Sequence, residues 1–147
     1  MSTNAANDEQ KVTLPTEEEQ ARLDEQREVI EDMIGDETTR AEYETPAGKL
    51  SLLEAIVEQG AIASEDTYGL QSMGIVLGDV FAEALGFEWV TVEDSYGRDP
   101  ALRFPGTTIL LFPLTMISKR VERGEQVDVR ELFTEIAKEL EKVRAQY

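Results

Sequence analysis

The stretch from Leu85 to Gly124 constrains the fold most, because it is the only part of the chain in which strand patterns outweigh helical ones. Residues 87–93 are rich in aromatic and β-branched side chains of alternating polarity, as is typical of a strand. A turn-forming segment separates them from a short second strand at 101–104, and Pro-Gly precedes an apolar run at 107–112. These three segments predict a three-stranded antiparallel meander.

The remainder of the chain has helical periodicity, with apolar side chains three and four residues apart. Thr16 and Glu19 form a capping-box pattern at the start of the first helix, and Asp128 and Glu131 repeat it before the last. Residues 45–48 are typical of a loop, and a short helical turn is possible around 39–43. The predicted helices span about 16–34, 49–59, 65–85, 113–123 and 128–145.

Two glycines, Gly74 and Gly78, lie one turn apart inside the third predicted helix. Each glycine costs about 1 kcal/mol relative to alanine in a helix interior, so the pair indicates that another backbone packs closely there. A bare groove that admits a ligand or a partner helix is the alternative.

The chain of 147 residues has the length of one domain. Residues 1–12 are polar and predict a disordered tail, which leaves residues 13–147 as a single domain. Helices that cover a small antiparallel sheet define an α+β fold.

Histidine and cysteine are both absent from the sequence. This composition excludes imidazole or thiolate metal sites and the nucleophile pairs that depend on histidine. Carboxylate, lysine, tyrosine and hydroxyl chemistry remain, as does a hard cation held by oxygen ligands. We expect no cofactor.

The charge balance is strongly acidic, since 14 Lys and Arg stand against 31 Asp and Glu and give a net charge of −17. Such a charge opposes binding to nucleic acid or to anionic lipid. The first dozen residues contain no signal-peptide pattern, and no apolar run approaches the roughly 20 residues that cross a bilayer. We therefore expect a cytoplasmic protein that binds neither nucleic acid nor membrane.

Three sequence blocks between Leu70 and Phe133, LQSMGIVLGDVFAEALGFEWV, EDSYGRDPAL and LLFPLTMISKRVERGEQVDVRELF, occur together in this order. In these blocks the chain resembles a bacterial family catalogued as domain of unknown function 3806. The resemblance supports the fold and the bacterial cytoplasmic setting, and it implies no activity and no residue roles.

Carboxylates crowd the predicted loop between the first two strands, at Glu93, Asp94 and Asp99. If they converge, they could hold calcium or magnesium or act as an acid/base pair. Their spacing matches no known metal-binding loop, and Asx turns account for the two aspartates equally well.

Basic side chains form a local minority on this acidic chain, namely Arg98, Arg103, Lys119, Arg120 and Arg123. Guanidinium groups suit carboxylate or phosphate, so these residues are candidates for binding an anionic ligand or an acidic partner segment. Pairing with neighbouring acids and with a helix C-terminus is the structural alternative.

Aromatic side chains, Trp89, Tyr96 and Phe104, complete the candidates for a binding surface. If the helices leave one face of the sheet uncovered, these rings form an exposed apolar patch suited to a protein partner. If the helices cover that face, the rings belong to the core.

The leading hypothesis is a non-enzymatic domain that binds an unknown protein partner through the sheet loops and the neighbouring basic helix. The alternative is a carboxylate-based enzyme or a calcium- or magnesium-binding domain that uses Glu93, Asp94 and Asp99. The N-terminal helix could mediate a homodimer or cover the core.

Overall fold

A computed structural model describes residues 10–146 and has a mixed α+β architecture, which confirms the predicted fold class. Nine residues of the predicted tail, 1–9, lie outside the described residues. The elements in chain order are β1 (Lys11–Thr13), α1 (Glu17–Glu31), α2 (Glu37–Tyr43), α3 (Pro46–Gln59), α4 (Thr67–Leu85), β2 (Glu88–Asp94), β3 (Gly97–Arg103), β4 (Leu110–Leu111), a 3₁₀ turn (Pro113–Thr115), α5 (Met116–Glu122) and α6 (Val129–Arg144).

The sheet has four antiparallel strands in the order β1-β2-β3-β4, one more than predicted. The additional strand is β1, whose residue Val12 pairs with Val92 at the edge of the sheet. The prediction of a disordered tail is therefore wrong for Lys11 and Val12. A strand of three residues is too short to carry a polarity pattern, so only its pairing with β2 identifies it.

The hairpin between β2 and β3 is tighter than predicted, since Asp94 pairs with Gly97 and only Ser95 and Tyr96 form the loop. The Asp94 carboxylate accepts a hydrogen bond from the Tyr96 backbone N–H at 2.8 Å. Gly97 has a φ of 127°, a conformation that favours glycine. Most of the predicted loop is therefore strand.

The strand β3 contains Pro100, a residue that usually argues against a strand. β4 pairs only with Leu102 and Arg103, so the outer side of β3 at Pro100 is an open edge where a missing N–H is tolerated. The predicted third strand is shortened to β4, because the residues before it form a turn. In this turn the Thr107 hydroxyl donates a hydrogen bond to the Phe104 carbonyl and accepts one from the Ile109 N–H.

The helix α3 begins three residues earlier than predicted, at Pro46, so the predicted loop at residues 45–48 is wrong. The Thr45 side chain caps the helix by accepting a hydrogen bond from the Gly48 N–H at 3.0 Å. Proline is well tolerated at a first helical position, and that signal resembles the signal for a turn.

The helix α4 occupies the centre of the fold, and every residue from Ser72 to Phe81 is buried. It contacts α1, α3, α5, α6 and the 3₁₀ turn. A helix that is covered on all sides explains why its apolar residues extend well beyond one stripe.

Gly74 and Gly78 of α4 are both sites of close packing, with the predicted approach of another backbone at Gly74 and an approach of side chains at Gly78. A Cβ atom at Gly74 would overlap the backbone of Pro113 and Leu114, and one at Gly78 would overlap the Trp89 ring. The pair therefore lets the 3₁₀ turn and the sheet approach the central helix.

The side of the sheet that faces the helices carries Trp89, Thr91 and Leu102. Its opposite side carries a small buried cluster of Val90, Val92 and Ala101. Among residues 10–146, no helix has the length and apolar character needed to cross a membrane.

We predict that Gly74→Ala lowers the free energy of unfolding by about 1–3 kcal/mol, because the added methyl group meets backbone atoms that cannot rotate away. Gly35→Ala is the matched control, since a Cβ there has no neighbour within 4 Å. Urea denaturation monitored by circular dichroism measures both variants. Equal stability of the two would contradict the close packing at Gly74.

Candidate functional site

A cleft of ≈ 420 Å³ opens between α1, the N-terminal part of α4 and the helix-facing side of β2 and β3. Leu23, Pro100 and Leu114 provide apolar surface in this cleft, and the side chains of Gln26 and Gln71 provide amide groups. An apolar pocket with a few polar groups is the usual form of a binding site. This cleft is the candidate functional site.

The rim of the cleft is formed partly by α1 and carries exposed side chains. Tyr68 is 51% exposed, and Glu25 has no ion-pair partner within residues 10–146. Arg22 lies 3.9 Å from Glu18, and both side chains are largely exposed, so this ion pair contributes little to the stability of the fold. The rim therefore presents an aromatic ring and charged groups that remain accessible.

One end of the cleft is closed by a hydrogen-bond network around Glu19. Its carboxylate accepts two hydrogen bonds from Arg98, at 2.9 and 3.0 Å, and one from the Thr91 hydroxyl at 2.9 Å. It also accepts a hydrogen bond from the Thr16 N–H at 2.9 Å, which completes the predicted capping box. The same glutamate thus caps α1 and joins that helix to the sheet.

The electrostatics of this network keep Glu19 ionised. The hydrogen bonds from Arg98, followed by the one from the Thr16 backbone, lower the pKa of Glu19 from its usual 4.5 to about 2. A general acid or base works best when its pKa lies near the operating pH. Glu19 is therefore suited to holding Arg98 in place and unsuited to proton transfer at neutral pH.

The three carboxylates of the predicted loop do not form a cluster. Glu93 accepts a hydrogen bond from Arg98 at 2.9 Å, whereas Asp94 caps the hairpin turn. Asp99 pairs with Val92 across the hairpin, and Glu93 pairs with Arg98, so successive side chains alternate between the two sides of the sheet. Within the described ranges, no three acidic side chains are grouped as a metal site requires.

The predicted basic residues are separated as well. Arg98 and Arg103 lie near opposite ends of β3, and Arg103 pairs with Glu88 at 3.1 Å. On α5, the Arg120 side chain donates to the Met116 carbonyl at 2.9 Å, while Lys119 and the C-cap residue Arg123 are exposed. Only Arg98 among these five lines the candidate cleft.

The predicted aromatic residues have three different environments. The Trp89 ring covers Gly78, and its N–H donates to Asp79 at 3.0 Å. Phe104 packs edge-to-face on Phe87 with ring centroids 5.5 Å apart. Tyr96, at the hairpin tip, is 90% exposed. The structure therefore does not bring these rings together in one patch.

The sequence interpretation missed most of the residues that form the cleft, including Leu23, Gln26, Tyr68 and Gln71. Helical periodicity predicts α1 itself, but no local pattern relates α1 to the β2–β3 hairpin. The capping box was the one available signal, because it placed Glu19 at the start of α1.

We predict that the Glu19 carboxylate titrates near pH 2 in the folded protein and that Arg98→Gln moves its midpoint toward 4.5. The folded-state pKa lies below the unfolded-state value, so the network stabilises the fold above pH 4.5 and loses this effect as the pH falls toward 2. Carboxyl ¹³C chemical shifts measure the midpoint. Arg22→Gln is the control, and an unchanged midpoint in Arg98→Gln would contradict the network.

Comparisons with known proteins give a family and a fold. No match was found among curated protein sequences. A solved structure from Bacteroides thetaiotaomicron VPI-5482, at 1.50 Å resolution, is similar with a TM-score of 0.70 and 16% sequence identity over 87% of this chain. This chain spans 47% of that protein, and the likeness concerns the fold alone.

A family model described as Domain of unknown function (DUF3806) matches residues 49–133, more than half of the 147 residues. The match covers most of α3, all of α4, the β2–β3 hairpin, β4 and α5, and the start of α6, whereas α1 lies outside it. It includes the three blocks between Leu70 and Phe133 on which the sequence resemblance rests, and the chain therefore belongs to the DUF3806 family.

Proposed function

We propose that the protein is a non-enzymatic cytoplasmic domain that binds a segment of another protein in the cleft between α1 and the sheet. The observation that carries the proposal is that Glu19, at one end of this cleft, is held in its ionised form. Glu19 and Glu93 are both held by Arg98, and Glu19 has a pKa of about 2. With so low a pKa, the Glu19 carboxylate orients its neighbours and does not exchange protons at neutral pH.

The shape and composition of the cleft support a protein segment as the ligand. Its apolar surface at Leu23, Pro100 and Leu114 can accommodate one apolar side chain. Gln26 and Gln71 offer amide donors and acceptors that suit a peptide backbone. The exposed ring of Tyr68 adds a contact of the kind that is enriched at protein interfaces.

Charge complementarity favours a basic segment. The helix α1, which forms one wall of the cleft, contains seven acidic and two basic side chains. The whole chain has a net charge of −17, so a segment with lysine or arginine beside the apolar anchor is steered toward this surface. Glu25, on the rim, is the group expected to meet that positive charge.

The carboxylate-enzyme and metal-binding alternative requires Glu93, Asp94 and Asp99 to converge, and no observation favours it. The basic helix offers a second contact, since Lys119 of α5 and the C-cap residue Arg123 are exposed. The other alternative is a homodimer through α1. Nothing favours it, because α1 already buries Leu23, Gln26 and Ile30 against the rest of the fold.

We predict that a photoreactive phenylalanine analogue at Tyr68 cross-links a discrete partner protein in host cells, whereas the same analogue at Tyr96 does not. Both positions are exposed, but only Tyr68 lines the cleft. Mass spectrometry of the cross-linked band identifies the partner and the segment that it contributes.

A matched pair of charge reversals tests the site within this experiment. Glu25→Lys should reduce cross-linking at Tyr68 at least several-fold, whereas Glu28→Lys, an equal change at an exposed position of α1 outside the cleft, should leave it unchanged. Cross-linking at Tyr96 alone would place the partner on the hairpin loop and contradict the cleft. An equal loss in both reversals would indicate general electrostatic attraction instead.

A further inference from the structure

Gln26 of α1 is a buried polar residue that lines the candidate cleft. It is only 9% exposed, and it lies one turn after the apolar Leu23 on the inward face of the helix. The other buried polar residue of the cleft, Thr91, donates its hydroxyl hydrogen bond to Glu19 at 2.9 Å. Within residues 10–146 no such bond satisfies the side-chain amide of Gln26.

The amide of Gln26 reaches the space of the cleft. Among the described residues, the Tyr43 hydroxyl is the one side-chain group that is both fully enclosed and without a partner. The amide oxygen and nitrogen of Gln26 therefore keep some accessible surface. Because the rest of the residue is buried and it lines the cleft, that surface borders the cleft. An acceptor and a donor thus lie there side by side.

An unpaired amide at this depth destabilises the free protein. Gln71 of α4 lines the same cleft but is only half-buried, so water satisfies its amide more readily. A methionine has nearly the shape of glutamine and would occupy position 26 without an unpaired polar group. The Gln26 amide therefore indicates a ligand group that pairs with it.

A side-chain amide needs both a donor and an acceptor from its ligand, since its C=O accepts and its NH₂ donates. A carboxylate offers only acceptors and an ammonium group only donors, so each would leave half of the amide unpaired. A peptide backbone offers both. In an extended residue the N–H and the C=O point to the same side of the chain, whereas a helix uses both groups internally.

We propose that Gln26 binds the backbone of one extended residue of the partner segment, accepting a hydrogen bond from its N–H and donating one to its C=O. This inference rests on the proposed function and names what the cleft recognises in the segment. Leu23 contacts the apolar side chain of the bound residue, and Glu25 on the rim meets a neighbouring positive charge. Gln26 thus selects the backbone conformation, and its neighbours select the side chains.

The test uses acetyl-lysyl-leucyl-lysine N-methylamide as the probe, because it places an apolar side chain between two cations and has no side-chain amide. Two analogues of equal charge and mass carry one backbone N-methyl group, either on the leucine or on the first lysine. The ¹⁵N spectrum of the labelled protein reports the side-chain NH₂ signals of Gln26.

We expect saturable shifts of these signals with the parent peptide and about tenfold weaker binding of the N-methyl-leucine peptide, which lacks the paired N–H. The N-methyl-lysine peptide should bind like the parent, because the N–H groups of adjacent residues point to opposite sides of an extended chain.

Substitution of Gln26 assigns the effect to its amide. In Gln26→Met the parent and the N-methyl-leucine peptide should bind equally, because the group that distinguishes them is gone. Gln20→Met, the same change at an exposed position of α1 outside the cleft, should keep the wild-type difference. The thermal midpoint of Gln26→Met should not fall below the wild-type value. A clear fall would give the amide a structural role and overturn the proposal.

The remaining outcomes separate this inference from the proposed function. Equal binding of all three peptides to the wild-type cleft would overturn the role of Gln26 and leave the cleft as a site for side chains alone. A difference that persists in Gln26→Met would overturn it too, because the backbone contact would then lie elsewhere. The absence of a saturable shift at any cleft residue, with any of the peptides, would overturn the inference and count against the proposed function.

Discussion

The carboxylate of Asp79 on α4 joins that helix to β2, the next element in the chain, and to α1, where its partner Arg27 lies 52 residues earlier. It accepts two hydrogen bonds of 2.8 Å from Arg27 and one of 3.0 Å from the Trp89 ring N–H. The Arg27 and Asp79 side chains are only 21% and 11% exposed. Loss of one partner from a buried pair leaves an uncompensated charge and typically costs about 3–5 kcal/mol, so the pair specifies where α1 lies.

The candidate cleft depends on this arrangement because α1 is attached at two points. Near its start, Glu19 binds Arg98 and Thr91 of the sheet, and two turns later Arg27 binds Asp79. The residues of α1 that line the cleft lie around and between these attachments. The cleft therefore has a wall held at both ends, which lowers the ordering cost of binding a partner.

Much of the architecture was predictable from local patterns. The capping box of Thr16 and Glu19, the N-cap at Asp128 and the alternation in β2 each follow from interactions within a few residues, and all three are present. At Asp128 only the side chain of the N-cap takes part, so the second capping box is half formed. The glycine pair in α4 even indicated close packing before its neighbours were known. The family match adds that this core is shared with other proteins.

Several of the incorrect predictions concern features that depend on contacts between residues distant in the sequence. β1 exists only because Lys11–Thr13 pairs with β2, and Pro100 lies within a strand only because the neighbouring edge is open. The predicted site residues were adjacent in sequence, yet alternation across the hairpin separates Glu93 from Asp94 and Asp99. The cleft itself is made by tertiary packing of α1 on the hairpin, for which the sequence contains no local signal.

The attachment of α1 is the central claim, because the proposed binding cleft uses that helix as a wall. Native-state hydrogen exchange of Asp79→Asn measures it most directly. We predict that the amides of Leu23 to Ile30 lose protection in this variant through local detachment of α1, whereas those of α3 and α6 keep theirs. Unchanged protection in α1, or an equal loss in every helix, would contradict the account.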